Sequence, residues 1–159
     1  MKVRFKKLHK KAQLPSYAHD GEDAGLDIRC VSKEYDDNNN VVYHTGLAVE
    51  IPKGYAGFMF PRSSNDKKQL SLSNCVGIVD SGYHGEFTFK YRQTFDTFKE
   101  INTESACFMI PFHDRNKEYE IGDKVGQMVI MPYPHIEPEW ADDLSETERG
   151  DGGYGSTGK

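Results

Sequence analysis

Four short stretches concentrate residue types that building a fold does not by itself require. The first is Asp23-Ala24-Gly25-Leu26-Asp27-Ile28, where Gly25 permits a tight backbone and Asp27 is a carboxylate between two apolar neighbours. Such an aspartate serves either a ligand or its own turn, by capping nearby N–H groups. The second, Pro61-Arg62-Ser63-Ser64-Asn65, sets a guanidinium beside two hydroxyls after an apolar run. That combination suits phosphate, and equally makes a helix N-cap with a surface arginine. The third runs from Asn74 to Gly85 (NCVGIVDSGYHG): two strand-like runs about a glycine-containing turn, read as a hairpin. Its backbone groups suit the edge of a planar base, and Asp80 is a carboxylate placed to accept a proton from water; a plain hairpin with a solvated aspartate fits the same letters. The fourth, Gly122-Asp123-Lys124-Val125-Gly126-Gln127, is a turn before a strand, with Gln127 able to donate to an oxyanion.

The C-terminus adds a fifth group and a decoy. Gly153-x-x-x-x-Gly158-Lys159 matches most of a P-loop string, but no strand precedes it and no Ser or Thr and helix follow Lys159. The physics survives the rejected motif: backbone N–H groups, Ser156, Thr157 and Arg149 suit phosphates, and Tyr154 among glycines suits stacking on a base. Asp36 to Asn40 lacks calcium-loop spacing and reads as a hairpin tip. The six histidines show no metal spacing.

These loops need rigid elements to hang from. The N-terminal MKVRFKKL alternates like a half-buried strand. Val41 to Tyr43, Leu47 to Ile51, Tyr55 to Phe60, Glu86 to Tyr91, Ala106 to Phe112 and Lys124 to Met131 supply further β candidates, punctuated by turn residues. One short helix over Ser63 to Leu70 is the only helical expectation. The pattern predicts an all-β fold, a jelly-roll-like antiparallel barrel or sandwich whose edges invite assembly. After Pro132 the chain turns proline-rich and acidic and reads as an extended arm over the surface or onto a neighbour, and Arg149 to Lys159 carries five glycines. We divide it into a barrel domain over 1–135 and an arm with a flexible glycine-rich flap over 136–159.

Composition bounds the function. The 159 residues are 36 % apolar with a mean hydropathy of −0.72, yet nine Phe and nine Tyr supply a core. A net charge of −5 argues against coating nucleic acid, so attraction for an anionic ligand must come from a few local groups. No apolar run reaches the roughly 20 residues that span a bilayer, and no signal peptide is visible, so cytoplasm is the expected location. Cys30, Cys75 and Cys107 form no metal pattern and are expected to be reduced and mostly buried.

Taken in order, DAGLDI, PRSS, NCVGIVDSGYHGEF, GDKVGQMVI and SETERGDGGYGSTGK resemble the five motifs of the homotrimeric dUTPase family. They span residues 23 to 158, nearly the whole chain. The resemblance implies hydrolysis of dUTP to dUMP and pyrophosphate, which supplies dUMP for thymidylate synthesis and keeps uracil out of DNA. It implies that Asp80 is the catalytic carboxylate that orients and deprotonates the attacking water. Tyr83 resembles the residue packed under the deoxyribose, and Asn74, Gly77 and Ile78 resemble the stretch whose backbone pairs with uracil. Arg62, Ser63, Ser64 and Gln127 resemble the phosphate cradle, and Asp27 the carboxylate that holds Mg²⁺ through water. Arg149 would reach the γ-phosphate, Tyr154 stack on uracil, and Gly155, Ser156 and Thr157 close over the phosphates. The family pattern also implies a homotrimer with shared active sites, and no nucleic-acid or membrane partner.

The sequence departs from that pattern in three places. Tyr154 stands where the family usually has Phe, Ser64-Asn65 replaces the commoner Gly-Leu, and the stretch from Phe87 to Ile121 is longer than usual. Two rivals follow. A dCTP deaminase-like enzyme resembles the third motif but carries a glutamate five residues after its last glycine, where this chain has Lys90. A nucleotide-switched, protein-binding member would use the long stretch as its contact surface.

Overall fold

Short β-branched and aromatic runs cut by Gly, Asn, Asp and Pro make strands of three to nine residues in the computed structural model, which describes residues 1–94, 97–102 and 107–153. The strands are β1 (Arg4–Lys7), β2 (Leu26–Arg29), β3 (Ser32–Tyr35), β4 (Val41–His44), β5 (Leu47–Glu50) and β6 (Tyr55–Phe60). They continue as β7 (Leu70–Leu72), β8 (Gly77–Val79), β9 (Thr88–Gln93), β10 (Thr97–Asn102), β11 (Cys107–Phe112) and β12 (Lys124–Pro132). Among the described residues the helical pieces are two 3-10 turns, Ser63–Lys67 and Arg115–Lys117. The helix expected over Ser63 to Leu70 is thus shorter and tighter, because Leu70 already pairs with Gln93 as a strand residue.

Two four-stranded antiparallel sheets, ordered β2-β12-β6-β8 and β3-β4-β9-β7, enclose one core, with β1-β5 and β10-β11 as separate pairs. The core draws Ile28, Met59, Val79, Val125 and Met128 from the first sheet and Val41, Tyr43, Leu70, Phe89 and Tyr91 from the second. Tyr43 meets Tyr91 and Tyr119 edge-on, at centroid distances of 5.9 and 5.8 Å. Edge-to-face contact suits the ring quadrupoles. Burial pushes the Tyr43 and Tyr91 phenols well above the ordinary tyrosine range, so both stay neutral: Tyr91 Oη–H donates to the Val125 carbonyl at 2.6 Å, tying the sheets together, and Tyr43 Oη accepts from the Tyr119 N–H. Gly126 lets them close, since a Cβ there would lie 2.1 Å from the Phe89 ring.

The all-β, antiparallel expectation holds, and the β3–β4 hairpin tip forms where Asp36 accepts from the Asn38 and Asn40 N–H groups. Two expectations fail. The stretch from Asn74 to Gly85 is not a hairpin: β8 pairs with β6 in one sheet, while β9, the next strand, pairs with β4 and β7 in the other. Its glycines serve a crossing between sheets. The cysteines are free, but only Cys30 is buried; Cys75 lies on that crossing and Cys107 on the added pair β10-β11, both exposed. The long stretch after Phe87 is a hairpin, β10–β11, appended beyond β9. From Tyr133 the arm is exposed and extended. No helix among the described residues is long and apolar enough to cross a membrane.

Candidate active site

The first sheet brings three of the stretches to one rung. Gln127 on β12 pairs with Asp27 on β2 on one side and with Phe60 on β6 on the other, and Pro61-Arg62 follows directly. The Asp27 carboxylate is 8 % exposed and fully engaged: Oδ1 accepts from Arg62 Nε at 2.7 Å and Oδ2 from Lys124 Nζ at 2.7 Å. One buried carboxylate holds two cations side by side, the kind of local positive groups an acidic protein needs to meet a polyanion. Gln127 donates from Nε2 to the Pro61 carbonyl at 3.2 Å, and Gly25 makes room for it, since a Cβ there would sit 2.4 Å from its Oε1. Arg62 Nη1 reaches Ser64 Oγ at 3.5 Å. The result is an open cleft of about 390 Å³ lined by Asp27, Arg62, Ser63 and Gln127, with Ala18, His19, Asp23, Ala24, Gly25 and Val129 around them.

Lys124 is a residue that sequence reasoning passed over. It stands three positions before Gln127, so strict alternation would send the two to opposite faces. The β2–β12 register shifts between Lys124 and Gly126, and this bulge turns both toward Asp27. A glycine inside a strand pattern was the available signal.

β8 and the crossings on either side of it border a second cleft, of about 340 Å³, whose lining includes Asn74, Gly77, Ile78, Tyr83, Glu86 and Lys90. Cys75 adopts φ +60° and the Val76 N–H closes on the Asn74 carbonyl at 2.6 Å, a tight turn that is strained for a residue with a Cβ. Gly77 leaves space for the Asn74 amide beside Met59. Tyr83 folds back so that its hydroxyl donates to the Glu86 carbonyl at 2.7 Å, over a Gly85 whose Cβ would collide with that hydroxyl. The Glu86 carboxylate in turn accepts from the Gly46 N–H at 2.6 Å and faces His44 Nδ1 at 3.1 Å. Partial burial opposes a charge on His44, yet Glu86 and Glu34 outweigh it and raise its pKa. Lys90 pairs with Asp36 at 3.0 Å. A cation therefore occupies the position where a deaminase-like enzyme would carry its glutamate.

Asp80 follows β8 directly and is exposed, in a turn closed by the Tyr83 N–H on the Asp80 carbonyl at 3.0 Å. Arg149 lies in an exposed turn of the tail, with Nε bonded to the Gly152 carbonyl at 2.9 Å, and lines neither cleft. Tyr154, Gly155, Ser156 and Thr157 lie outside the described residues. Within one chain, then, Asp27, Arg62, Ser63 and Gln127 come together, and so do Asn74, Gly77, Ile78 and Tyr83, but the two sets do not meet. Val79 pairs with Gly57 while Gln127 pairs with Phe60. Asp80 is one rung further on, about 13 Å along the strands from the Gln127 rung and about 14 Å across them from Asp27, at usual strand spacings.

The family model described as dUTPase matches residues 10–105. A deoxyuridine 5'-triphosphate nucleotidohydrolase of Hydrogenobaculum sp. is 35 % identical over 164 residues, covering 99 % of this chain and 99 % of that one. One from Alkaliphilus metalliredigens is 34 % identical, covering 98 % and 96 %. The solved structure of the Staphylococcus bacteriophage 80alpha dUTPase with dUPNHPP superposes with a TM-score of 0.76 at 28 % identity, over 99 % of each chain. On family match and full-length relatives alike, the chain belongs to the dUTPase family.

Proposed function

We propose that this chain hydrolyses dUTP to dUMP and pyrophosphate, with the cation-lined cleft holding phosphates and the strained crossing holding uracil and deoxyribose. The observation that carries the reading is the division of labour between the clefts: Arg62 and Lys124 gathered on buried Asp27 in one, and a backbone-walled slot beside Tyr83 in the other. Asp80 takes a proton from water as the water oxygen attacks the α-phosphorus. The bond from that phosphorus to the bridging oxygen breaks, and pyrophosphate leaves with the electron pair. Arg62, Ser63, Ser64 and the Gln127 amide meet the charge that builds on the leaving group. Tyr83 walls the sugar so that a ribose 2′-hydroxyl collides, and the backbone from Asn74 to Ile78 pairs with uracil. Arg149, Tyr154, Gly155, Ser156 and Thr157 close over base and phosphates from the tail. Fixing the water in line is the larger share of catalysis, since orientation supplies up to about 7–11 kcal/mol in ideal cases.

Two copies are needed for one site. A base at Asp80 must reach the α-phosphorus, and phosphorus atoms of one triphosphate lie only a few ångströms apart. The separation along and across the sheet between Asp80 and the cradle therefore supports a site shared between copies, in a homotrimer whose exposed arm, with Tyr133, Ile136, Trp140 and Leu144 bare, runs onto a neighbour.

The cradle also suits Mg²⁺. Among the described residues no three of His, Cys, Asp and Glu gather as a metal cage, but the cleft carries the hard oxygen donors Asp23 and Asp27. Mg²⁺ keeps several waters and binds by one or two carboxylates plus substrate phosphates. Asp27 would hold such an ion through water, and the ion would supply charge neutralisation across the phosphates.

The test is pyrophosphate release from dUTP with Mg²⁺, beside dTTP, UTP and dCTP, for wild type and Asp80→Asn. Hydrolysis confined to dUTP and lost in Asp80→Asn is expected. Equal turnover of UTP would remove Tyr83 as the sugar gate, and a folded protein inert toward dUTP would overturn the reading. One observation favours an added protein-contact role: Phe98, Phe108, Met109 and Ile110 are exposed on the β10–β11 hairpin. Deleting that hairpin should then lose a specific partner while turnover persists.

A further inference from the structure

Beneath the turn that carries Arg62, Ser63 and Ser64 lies a buried polar cluster with no part in the reaction. Glu118, 1 % exposed, is its centre. Its Oε2 accepts from Tyr35 Oη at 2.7 Å and Lys33 Nζ at 3.2 Å, while Oε1 accepts from Gln93 Nε2 at 3.3 Å and faces His113 Nε2 at 3.1 Å. His113 stands just after β11, and its Nδ1 faces the Thr94 carbonyl, just after β9, at 3.2 Å, so the cluster also closes the base of the inserted hairpin. Burial opposes the charge on Glu118, but these donors outweigh it and hold its pKa below the usual glutamate value.

The next residue carries the cluster to the site. Tyr119 is held on its ring by Tyr43 and Tyr91, and Lys68 Nζ lies 4.8 Å from its centroid while donating to the Glu118 carbonyl at 2.9 Å. Its backbone N–H is fixed by Tyr43 Oη at 3.1 Å. The only free direction left to the side chain is its hydroxyl, which donates to Asn65 Oδ1 at 3.1 Å and also meets the Ser64 side chain. Asn65 is bonded at its other end as well, from Nδ2 to the Leu70 carbonyl at 2.8 Å, and its backbone N–H closes the turn on the Arg62 carbonyl at 2.9 Å. An apolar side chain at 65 would fill the same space. A polar one with both ends partnered fixes a single orientation of the turn, since a misplaced turn strands two half-buried polar groups.

We propose that Tyr119 and Asn65 form a positioning strut: a rigid phenol anchored on the buried Glu118 cluster sets the turn that presents Arg62, Ser63 and Ser64 to the β- and γ-phosphates. This rests on the reading of that turn as the phosphate cradle. Neither strut residue lines the cleft that holds Asp27, Arg62, Ser63 and Gln127, so the two act through the turn.

Binding of two ligands separates a positioning role from a structural one. Calorimetry with Mg²⁺ would compare dUMP, which lacks the β- and γ-phosphates, with a non-hydrolysable imido analogue of dUTP, for wild type, Tyr119→Phe, Asn65→Leu and the double variant. Each single change is expected to weaken the analogue roughly 10-fold, the scale of one lost hydrogen bond, while dUMP affinity stays within about 2-fold. The double variant should bind the analogue no worse than the weaker single one, since both remove the same bond. Parallel losses for both ligands, no loss for either, or fully additive singles would overturn the strut. If Tyr119→Phe fails to fold, Asn65→Leu, which changes a half-buried turn residue, carries the ligand comparison alone. Arg62→Ala is the control: if it does not weaken the analogue more than dUMP, the phosphate reading itself fails; if it does and Asn65→Leu does not, the strut alone fails.

Discussion

The two clefts solve opposite problems. In the cradle every charged group is answered within the chain: Asp27 binds Arg62 and Lys124, Gln127 is held by Pro61, and the turn behind them is bonded through Asn65. On β8 and the crossing after it the site side chains face outward. Ile78 is 63 % and Tyr83 46 % exposed, and no side chain among the described residues bonds the Asp80 carboxylate. Cations meant for a polyanion must be kept from repelling each other before it arrives, and a buried carboxylate does that. A base that must meet water gains nothing from a partner in the empty state. Under the proposed function, binding groups are preset by folding, while the catalytic group would be completed by substrate and by a neighbouring copy.

That contrast makes predictions of unequal size. Asp80→Asn should lower turnover by about 10²–10⁴-fold, the usual range for a removed general base, and leave the urea midpoint unchanged. A matching loss of stability would break the contrast at once. Asp27→Ala should do the reverse first: freeing two half-buried cations is expected to cost about 2 kcal/mol of stability, discounted from the fully buried case because both keep some solvent, and read by urea unfolding. Gly126→Ala, which drives a methyl into the Phe89 ring, should cost about 1–3 kcal/mol in the same experiment by forcing the sheets apart.

The smallest effect is a pH slope behind the second cleft. His44 is raised above its unfolded value by Glu86 and Glu34, so its stabilising share is full below about pH 6.5 and fades as pH rises through the folded value. Glu118 runs the other way: its pKa is lowered, so its share is present above about pH 4.5 and is lost as pH falls through the folded value. Unfolding midpoints across pH should therefore decline at both ends. His44→Gln should flatten only the decline above pH 6.5, and Glu118→Gln only the acid one.

Much of this was legible before any coordinates. Alternation and turn residues located β5, β6 and β12 to within a residue or two, because each is bounded by Gly, Pro or Asp and has one face in the core; an apolar run located β11 equally well, although its apolar side chains are exposed. Asp27, Arg62 and Gln127 were readable as candidates by residue type, and the β2-β12-β6 order explains why they meet. The crossing from Asn74 to Gly85 misled, since apolar runs on either side of glycines look alike whether they pair with each other or with different sheets. Lys124 was hidden by a bulge, which shifts the face without changing composition. Tyr119 and Asn65 were unreadable because their contact joins positions 54 apart and is backed by a cluster whose members, Lys33 and Tyr35, Gln93, His113 and Glu118, come from four separate segments.

The most direct test mixes two crippled chains. Asp80→Asn and Arg62→Ala, each inactive alone, would be denatured together in equal amounts, refolded and assayed for pyrophosphate release from dUTP. Sites shared between copies predict recovery of about a quarter of wild-type activity, because random assortment gives that fraction of sites an intact Asp80 from one chain and an intact Arg62 from another. Co-assembled chains that recover no activity would contradict the shared site and return both clefts to a single copy.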